Sequence, residues 1–236
     1  MQTLVVEVWG DFACFTRPEA KVERFSYPVM TPSAARGILD AIYANPEKFV
    51  WRIERIDALN PIRFIALRRN EVKEKISVNA VKRAMDGGQA PVIVCDATRE
   101  PTGNDMLGRT QRQTIALRDV RYRIYAHIHP RPGCEAGVHA LKQQAARRIS
   151  QGKCFYQPYL GCREFVAYFE PAVGHRQPAD EDIDIGLMLY DVFDLDSVVR
   201  YEARPFISAF RARLAAGVLH VPPWESAEVI KPAGRT

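Results

Sequence analysis

No run of the chain is apolar for the ~18–20 residues that a membrane-spanning helix requires. The opening Met1–Gly10 stretch alternates apolar and polar residues and has neither a basic flank nor a small-residue cleavage site. It therefore reads as a first strand rather than a signal peptide, and the expectation is a cytoplasmic protein with no membrane partner. The cysteines, Cys14, Cys95, Cys134, Cys154 and Cys162, form no C-x-x-C pair and no Cys/His group with zinc-finger spacing. An odd number scattered in this way fits reduced, small buried thiols. P-loop, G-x-G-x-x-G, G-x-S-x-G and H-E-x-x-H patterns are all missing, which removes the usual support for a nucleotide cofactor or zinc hydrolase chemistry. No cofactor and no metal site is expected. Internal repeats and low-complexity tracts are also lacking.

What the chain does have is core-forming capacity. Its 236 residues are 47% hydrophobic, enough for one large domain or two small ones. The formal charge of +5 and a pI near 9.0 point toward a polyanionic partner, and the arginines are clustered rather than spread.

Along the chain, Thr3–Trp9 predicts a strand with Leu4, Val6 and Val8 on one face. Thr31-Pro32-Ser33 supplies a helix start, followed by Ala35, Ile38, Leu39 and Ile42 at helical spacing, and Asn45-Pro46 ends that helix just beyond Tyr43. Two strands follow, Val50–Leu59 and Pro61–Arg69, hinged at Asn60-Pro61. Asn70–Met85 is polar, and Gly87-Gly88 is a break. Pro91–Ala97 reads as a short strand, Thr98–Gly108 as a polar loop and Gln113–His129 as a long strand. Val138–Gln151 predicts a second helix closed by Gly152, and Glu164–Pro171 a further strand.

This order is the βαββαβ plan of an α+β, ferredoxin-like (RRM-like) domain spanning residues 1–173, with a β-hairpin arm inserted around 86–118. Gly174–Asp184 reads as a linker. Residues 174–236 would then form a small carboxy-terminal β-rich domain, with strands in Ile185–Tyr201 and in the VLHVPPW segment and a short helix around Pro205–Ala216.

The stretch LRDVRYRIYAHIH, Leu117–His129, carries the most chemistry. Side chains on a strand alternate, so Val120, Tyr122, Ile124, Ala126 and Ile128 share a face suited to a core. Arg121, Arg123, Tyr125, His127 and His129 share the other. Cationic and aromatic groups interleaved on one sheet face suit phosphate contacts combined with base stacking, as in the binding of single-stranded RNA. Arg109, Arg112 and Arg118 lie just upstream, in or near the arm. Arg147 and Arg148 close the second helix, where the dipole favours cations and where they offer further phosphate contacts. The same arginines would also serve a binder of double-stranded DNA. Gly161 marks a turn or a close backbone approach.

The segment GKCFYQPYLGCREF, Gly152–Phe165, strongly resembles a hallmark of the CRISPR-associated Cas-five family, subtype I-C. The opening Val6–Tyr43 segment, the LRDVRYRIYAH strand and the VPPW close resemble it too, so the likeness spans nearly the whole chain. The resemblance implies a ferredoxin-like domain with a β-hairpin arm and a smaller carboxy-terminal β-domain. It also implies an endoribonuclease that cuts precursor CRISPR RNA at the base of the repeat hairpin without a metal. The protein would then stay on the 5′ handle beside the other type I-C effector subunits; a binding subunit without catalysis is the alternative.

The resemblance points to Tyr43 at the end of the first helix and to a Lys-His pair at the start of the second. Here that region reads Gly137-Val138-His139-Ala140-Leu141-Lys142, and His139 matches the family histidine across a small gap. His139 and Lys142, three residues apart, share a helix face. Cleavage by 2′-OH attack needs a proton acceptor, stabilisation of the phosphorane and a proton for the departing 5′-oxygen. His139 is expected as the general acid/base, Lys142 as the phosphate stabiliser, and Tyr43 as the group that orients or polarises the phosphate.

Overall fold

The computed structural model describes residues 3–20, 22–89, 108–172, 174, 176–197 and 205–232. The elements run β1 (Leu4–Ala13), β2 (Arg24–Phe25), α1 (Pro32–Ile42), β3 (Phe49–Ala58), β4 (Phe64–Val72), α2 (Val78–Met85), β5 (Arg109–Pro130), α3 (Val138–Ser150), β6 (Tyr168–Pro171), β7 (Ile183–Asp191), β8 (Ser208–Ala215) and β9 (Val218–His220). The chain is a mixed α/β protein dominated by an antiparallel sheet in the order β6-β1-β5-β3-β9-β8-β7, with β2 and β4 also pairing with β5. It divides into two compact units, residues 1–65 with 115–236, and residues 66–114.

In the larger unit β5 is an interior strand, paired with β1 on one side and β3 on the other. The alternation expected for it is present: Val120, Tyr122, Ile124, Ala126 and Ile128 are buried. Opposite faces of the strand therefore do different work, and a slip of one residue would exchange them. α1 forms where its sequence signals place it. Thr31 Oγ1 accepts from the Ala34 amide at 3.2 Å, and Pro32 needs no amide partner in the first turn. Ala35, Ile38, Leu39 and Ile42 are each 0–1% exposed. Burying one aliphatic side chain of this size contributes about 1.5–3 kcal/mol. α1 packs on β3 and β7, and α3 packs against β1 and β6.

α1 is also bound to the far end of the sheet by charge. Arg36 donates from Nε to Asp191 Oδ2 at 2.6 Å, from Nη2 to Asp191 Oδ1 at 3.0 Å, and from Nη1 to Asp40 Oδ2 at 2.5 Å. Burial disfavours the Arg36 charge, but Asp191 and Asp40 more than offset this and hold it firmly protonated. Asp191 ends β7, so this pair joins α1 to the carboxy-terminal strands. Those strands extend the same sheet, because β9 pairs with β3 through Arg55–His220, Ile56–Leu219 and Asp57–Val218. The segment read as a linker is held by Ala179 N–H donating to the Ala58 carbonyl at 2.8 Å and Gly217 N–H donating to the Glu181 carbonyl at 2.9 Å.

One expected element is different in kind. The short helix anticipated around Pro205–Ala216 is replaced by β8, Ser208–Ala215. Ser208, Phe210, Ala212 and Leu214 are buried while Arg211 and Arg213 are exposed, a period of two that pairing with β7 and β9 imposes on residues with good helix propensity.

The smaller unit contains α2, which the polar Asn70–Met85 stretch did not announce. Ser77 Oγ caps it by accepting from the Ala80 amide at 3.1 Å. Within this unit Lys73 N–H donates to the Gly108 carbonyl at 2.9 Å. The expected strand Pro91–Ala97, nearly all of the Thr98–Gly108 loop, and Cys95 lie outside the described residues.

Candidate nucleic-acid interface

The end of α1 is where sequence-distant parts of the larger unit meet. A helix leaves its last carbonyls without intrahelical partners. Here Phe155 N–H donates to the Ala41 carbonyl at 2.7 Å, and Arg148 Nε to the Ile42 carbonyl at 2.6 Å. Trp51 Nε1 donates to the Tyr43 carbonyl at 2.8 Å. Three elements, α3, β3 and the loop after α3, thus close α1. The Arg148 guanidinium lies 4.3 Å over the Phe155 ring, a cation–π contact that aligns its planar fork. Tyr43, the capping residue, is half-buried with its ring 5.4 Å from that of Phe49.

The same loop walls a groove of about 660 Å³ whose lining includes Thr16, Ser33, Phe155, Tyr156, Tyr159 and Arg163. Phe155 and Tyr156 are 58% and 55% exposed, large aromatic surfaces with room for a stacking partner. The loop's path depends on Gly161. Its φ is +83°, and a Cβ there would fall 2.1 Å from the Cys14 carbonyl oxygen, so the close approach read from the sequence is a contact with the end of β1.

The other expected site residues are placed as follows. His139 is exposed in the first turn of α3, and its Nε2 lies 2.9 Å from Gln143 Nε2. Lys142 is partly exposed on the following turn. His139 does not meet the Tyr43 end of α1. Measured from Arg148, which does, it lies about 14 Å along the helix axis and on the opposite side, at ~1.5 Å and ~100° per residue. Arg147 is exposed and bonds Gln144. Arg118 is exposed on β5, with its amide donating to the Arg63 carbonyl at 2.9 Å. Arg109 and Arg112 belong to the smaller unit, Arg109 exposed and Arg112 partly so.

The polar face of β5 is engaged by carboxylates of the same chain. Arg121 donates to Glu7 at 2.9 Å and to Glu170 at 2.5 Å, and lies 4.5 Å over Trp9. Arg123, itself buried, donates to Glu7 at 2.7 and 3.2 Å. Burial raises the Glu7 pKa, but the bonds from Arg123 and Arg121 outweigh that and hold its carboxyl below the ordinary glutamate value. Tyr125 lies beneath the Arg55 guanidinium at 4.6 Å. His127 Nδ1 sits 2.7 Å from Glu54 Oε1. The face is therefore a charge-compensated ladder across β6, β1, β5 and β3. Residues on four strands far apart in sequence build it, which is why a single-strand pattern displays only its cations. The strand pattern did not single out the exposed Phe155 and Tyr156, two adjacent aromatics within the Gly152–Phe165 segment.

Comparison with known proteins gives one consistent result. Residues 3–222 match the model of the Cas5d family, described as CRISPR-associated protein (Cas_Cas5). A CRISPR pre-crRNA endoribonuclease Cas5d of Mannheimia succiniciproducens is 38% identical over 234 residues, covering 95% of this chain and 96% of the relative. A protein of the same name from Thermus thermophilus is 38% identical over 236 residues, covering 94% of this chain and 92% of that one. Among solved structures, that of a CRISPR-associated protein superposes with a TM-score of 0.62 at 19% identity, over 97% of this chain and 96% of the other. A functionally uncharacterized protein from Streptococcus mutans superposes with a TM-score of 0.60 at 18% identity, with the same coverage. These two likenesses concern the fold.

Proposed function

Because the chain belongs to the Cas5d family of CRISPR-associated proteins, we propose that it is an endoribonuclease that cuts precursor CRISPR RNA at the repeat hairpin. It then remains on the 5′ handle as a subunit of a type I-C effector complex. The observation that carries this reading is the near full-length identity to two relatives that bear that activity in their names. The fold is consistent with it. Taken alone, β1, α1, β3, β5, α3 and β6 follow a βαββαβ order with the four strands arranged β6-β1-β5-β3, all antiparallel, which we read as a ferredoxin-like unit.

The reaction is transesterification without a metal. The 2′-oxygen attacks the adjacent phosphorus as its proton leaves, the bond to the 5′-oxygen breaks, and that oxygen takes up a proton. The products are a 2′,3′-cyclic phosphate and a 5′-hydroxyl. His139 is the group assigned to proton transfer, since it is exposed and an imidazole can both accept and donate a proton. Lys142, about 60° around the helix, stabilises the phosphorane charge. Tyr43 and Arg148 hold a second phosphate of the bound RNA, beside Phe155 and Tyr156 as stacking surfaces, a division that the opposite placement of Arg148 and His139 on α3 supports. Arg109, Arg118 and Arg147 supply further backbone contacts.

The test is incubation of the purified protein with its repeat RNA in excess EDTA, beside His139→Ala and Tyr43→Phe variants. Cleavage by the parent to a cyclic-phosphate end, lost in His139→Ala with binding retained, is the expected result. Cleavage by His139→Ala at the parental rate overturns the histidine assignment. Binding without cleavage by the parent overturns the enzyme reading in favour of a handle-binding subunit.

A further inference from the structure

Two cysteines from distant parts of the chain meet at the wall of the groove. Cys14 follows β1, and Cys162 lies in the loop between α3 and β6; they are 0% and 8% exposed. The Cys162 thiol donates to the Cys14 carbonyl oxygen at 3.7 Å, so the two cysteines are in direct contact. Their backbones are locked in register around this contact. Cys14 N–H donates to the Leu160 carbonyl at 3.0 Å, and Gly161 sits against the Cys14 carbonyl with no room for a side chain.

A third group makes the pair unequal. Arg24 Nη1 donates to the Cys162 sulfur at 3.2 Å and to Glu164 Oε1 at 3.1 Å. On the other side, the Cys14 sulfur lies 3.5 Å from Thr16 Oγ1. The neighbouring Cys14 thiol and the Arg24 guanidinium, which touches the Cys162 sulfur, both favour the anion there. Closeness to Cys162 and burial raise the Cys14 thiol, so Cys162 ionises first. One sulfur is thus the nucleophile, and its neighbour the thiol able to resolve what forms on it.

We propose that Cys14 and Cys162 form a reversible dithiol–disulfide site that reacts with a peroxide. The Cys162 thiolate attacks one peroxide oxygen, the O–O bond breaks, and Cys162 becomes a sulfenic acid while hydroxide departs. Cys14 loses its proton, its sulfur attacks the Cys162 sulfur, and the S–O bond breaks with release of water. Two thiols are oxidised by two electrons and one peroxide is reduced to two waters. The bond formed ties the Gly152–Phe165 loop covalently to the end of β1. It fixes the wall that carries Phe155, Tyr156 and Arg163 around the groove.

The experiment treats the folded full-length protein with a stoichiometric amount of hydrogen peroxide, alkylates the remaining thiols, and maps the peptides by mass spectrometry with and without reductant. The expected product is a Cys14–Cys162 cross-linked peptide two hydrogens lighter than the reduced pair, abolished by dithiothreitol, with Cys95, Cys134 and Cys154 singly alkylated. Alkylation of Cys162 by iodoacetamide should also slow several-fold in Arg24→Gln, a substitution at the partly exposed rim that leaves the buried pair in place. Recovery of both peptides singly alkylated, of Cys162 linked to another cysteine, or of Cys162 as a sulfinic acid beside free Cys14 would each overturn the assignment. An unchanged Cys162 alkylation rate in Arg24→Gln would remove the guanidinium from it.

Discussion

Arg148 donates a 2.6 Å hydrogen bond from Nε to the carbonyl of Ile42, the last residue of α1, a contact between residues 106 positions apart. It joins the two helices of the larger unit at the place where Phe155 and Tyr156 are offered to solvent. Arg148→Ala removes a bond to a partly buried carbonyl and the support beneath Phe155, and should cost about 1–3 kcal/mol. Arg148→Lys keeps the charge without the planar fork and should recover only part of that. Urea unfolding of the three proteins checks the order; equal midpoints would mean that water serves the Ile42 carbonyl equally well.

A larger effect is expected at Arg36, near the middle of α1. Asp191→Asn leaves the buried Arg36 guanidinium with Asp40 as its remaining charged partner. Breaking a buried pair from one side costs about 3–5 kcal/mol, a large share of a domain's stability. Asp40→Asn should cost less, since Asp191 still grips Arg36 with both oxygens. Thermal unfolding monitored by circular dichroism should rank parent above Asp40→Asn above Asp191→Asn.

Glu7 gives the acid limb of stability. Its folded pKa lies below the ordinary value of 4.5, so the unfolded chain binds its proton first as pH falls. The stabilisation is complete above about pH 4.5 and is lost as pH drops through the lower folded value. Glu7→Gln should therefore be less stable than the parent near neutrality, and the gap should narrow steadily below about pH 4. Denaturation midpoints measured across this range test the sign; a gap independent of pH would mean that packing, not charge, holds the residue.

Two glycines of the Gly152–Phe165 loop should respond unequally to alanine. Gly152 has φ +63° with open space around its Cβ position, so Gly152→Ala pays only the conformational cost of about 1 kcal/mol. Gly161→Ala adds a 2.1 Å collision with the Cys14 carbonyl oxygen and should cost well over 2 kcal/mol, or prevent folding. Melting temperatures and soluble yield of the two variants separate the cases.

Local chemistry wrote several of these features into the sequence. The alternation of Val120 through Ile128 and the Thr31-Pro32 start of α1 act over a few residues, so their patterns are readable without a partner. Gly161 was marked by its type, though the atom it must avoid was not. β8 went the other way: Ser208–Ala215 carries Ala, Arg and Leu, which suit a helix as well as a strand, and pairing with β7 and β9 decided the matter.

The sequence by itself determined the family, the long strand β5 and its two faces, the first helix and its end at Tyr43, and the excess of arginine. Only the tertiary structure decided what those arginines meet. Glu7 lies 114 positions from Arg121 and Asp191 lies 155 from Arg36, and no local pattern encodes such pairings. It also decided that Arg148, rather than His139, reaches the end of α1. Both lie on one helix, and which side of that helix faces the core depends on the surfaces packed against it.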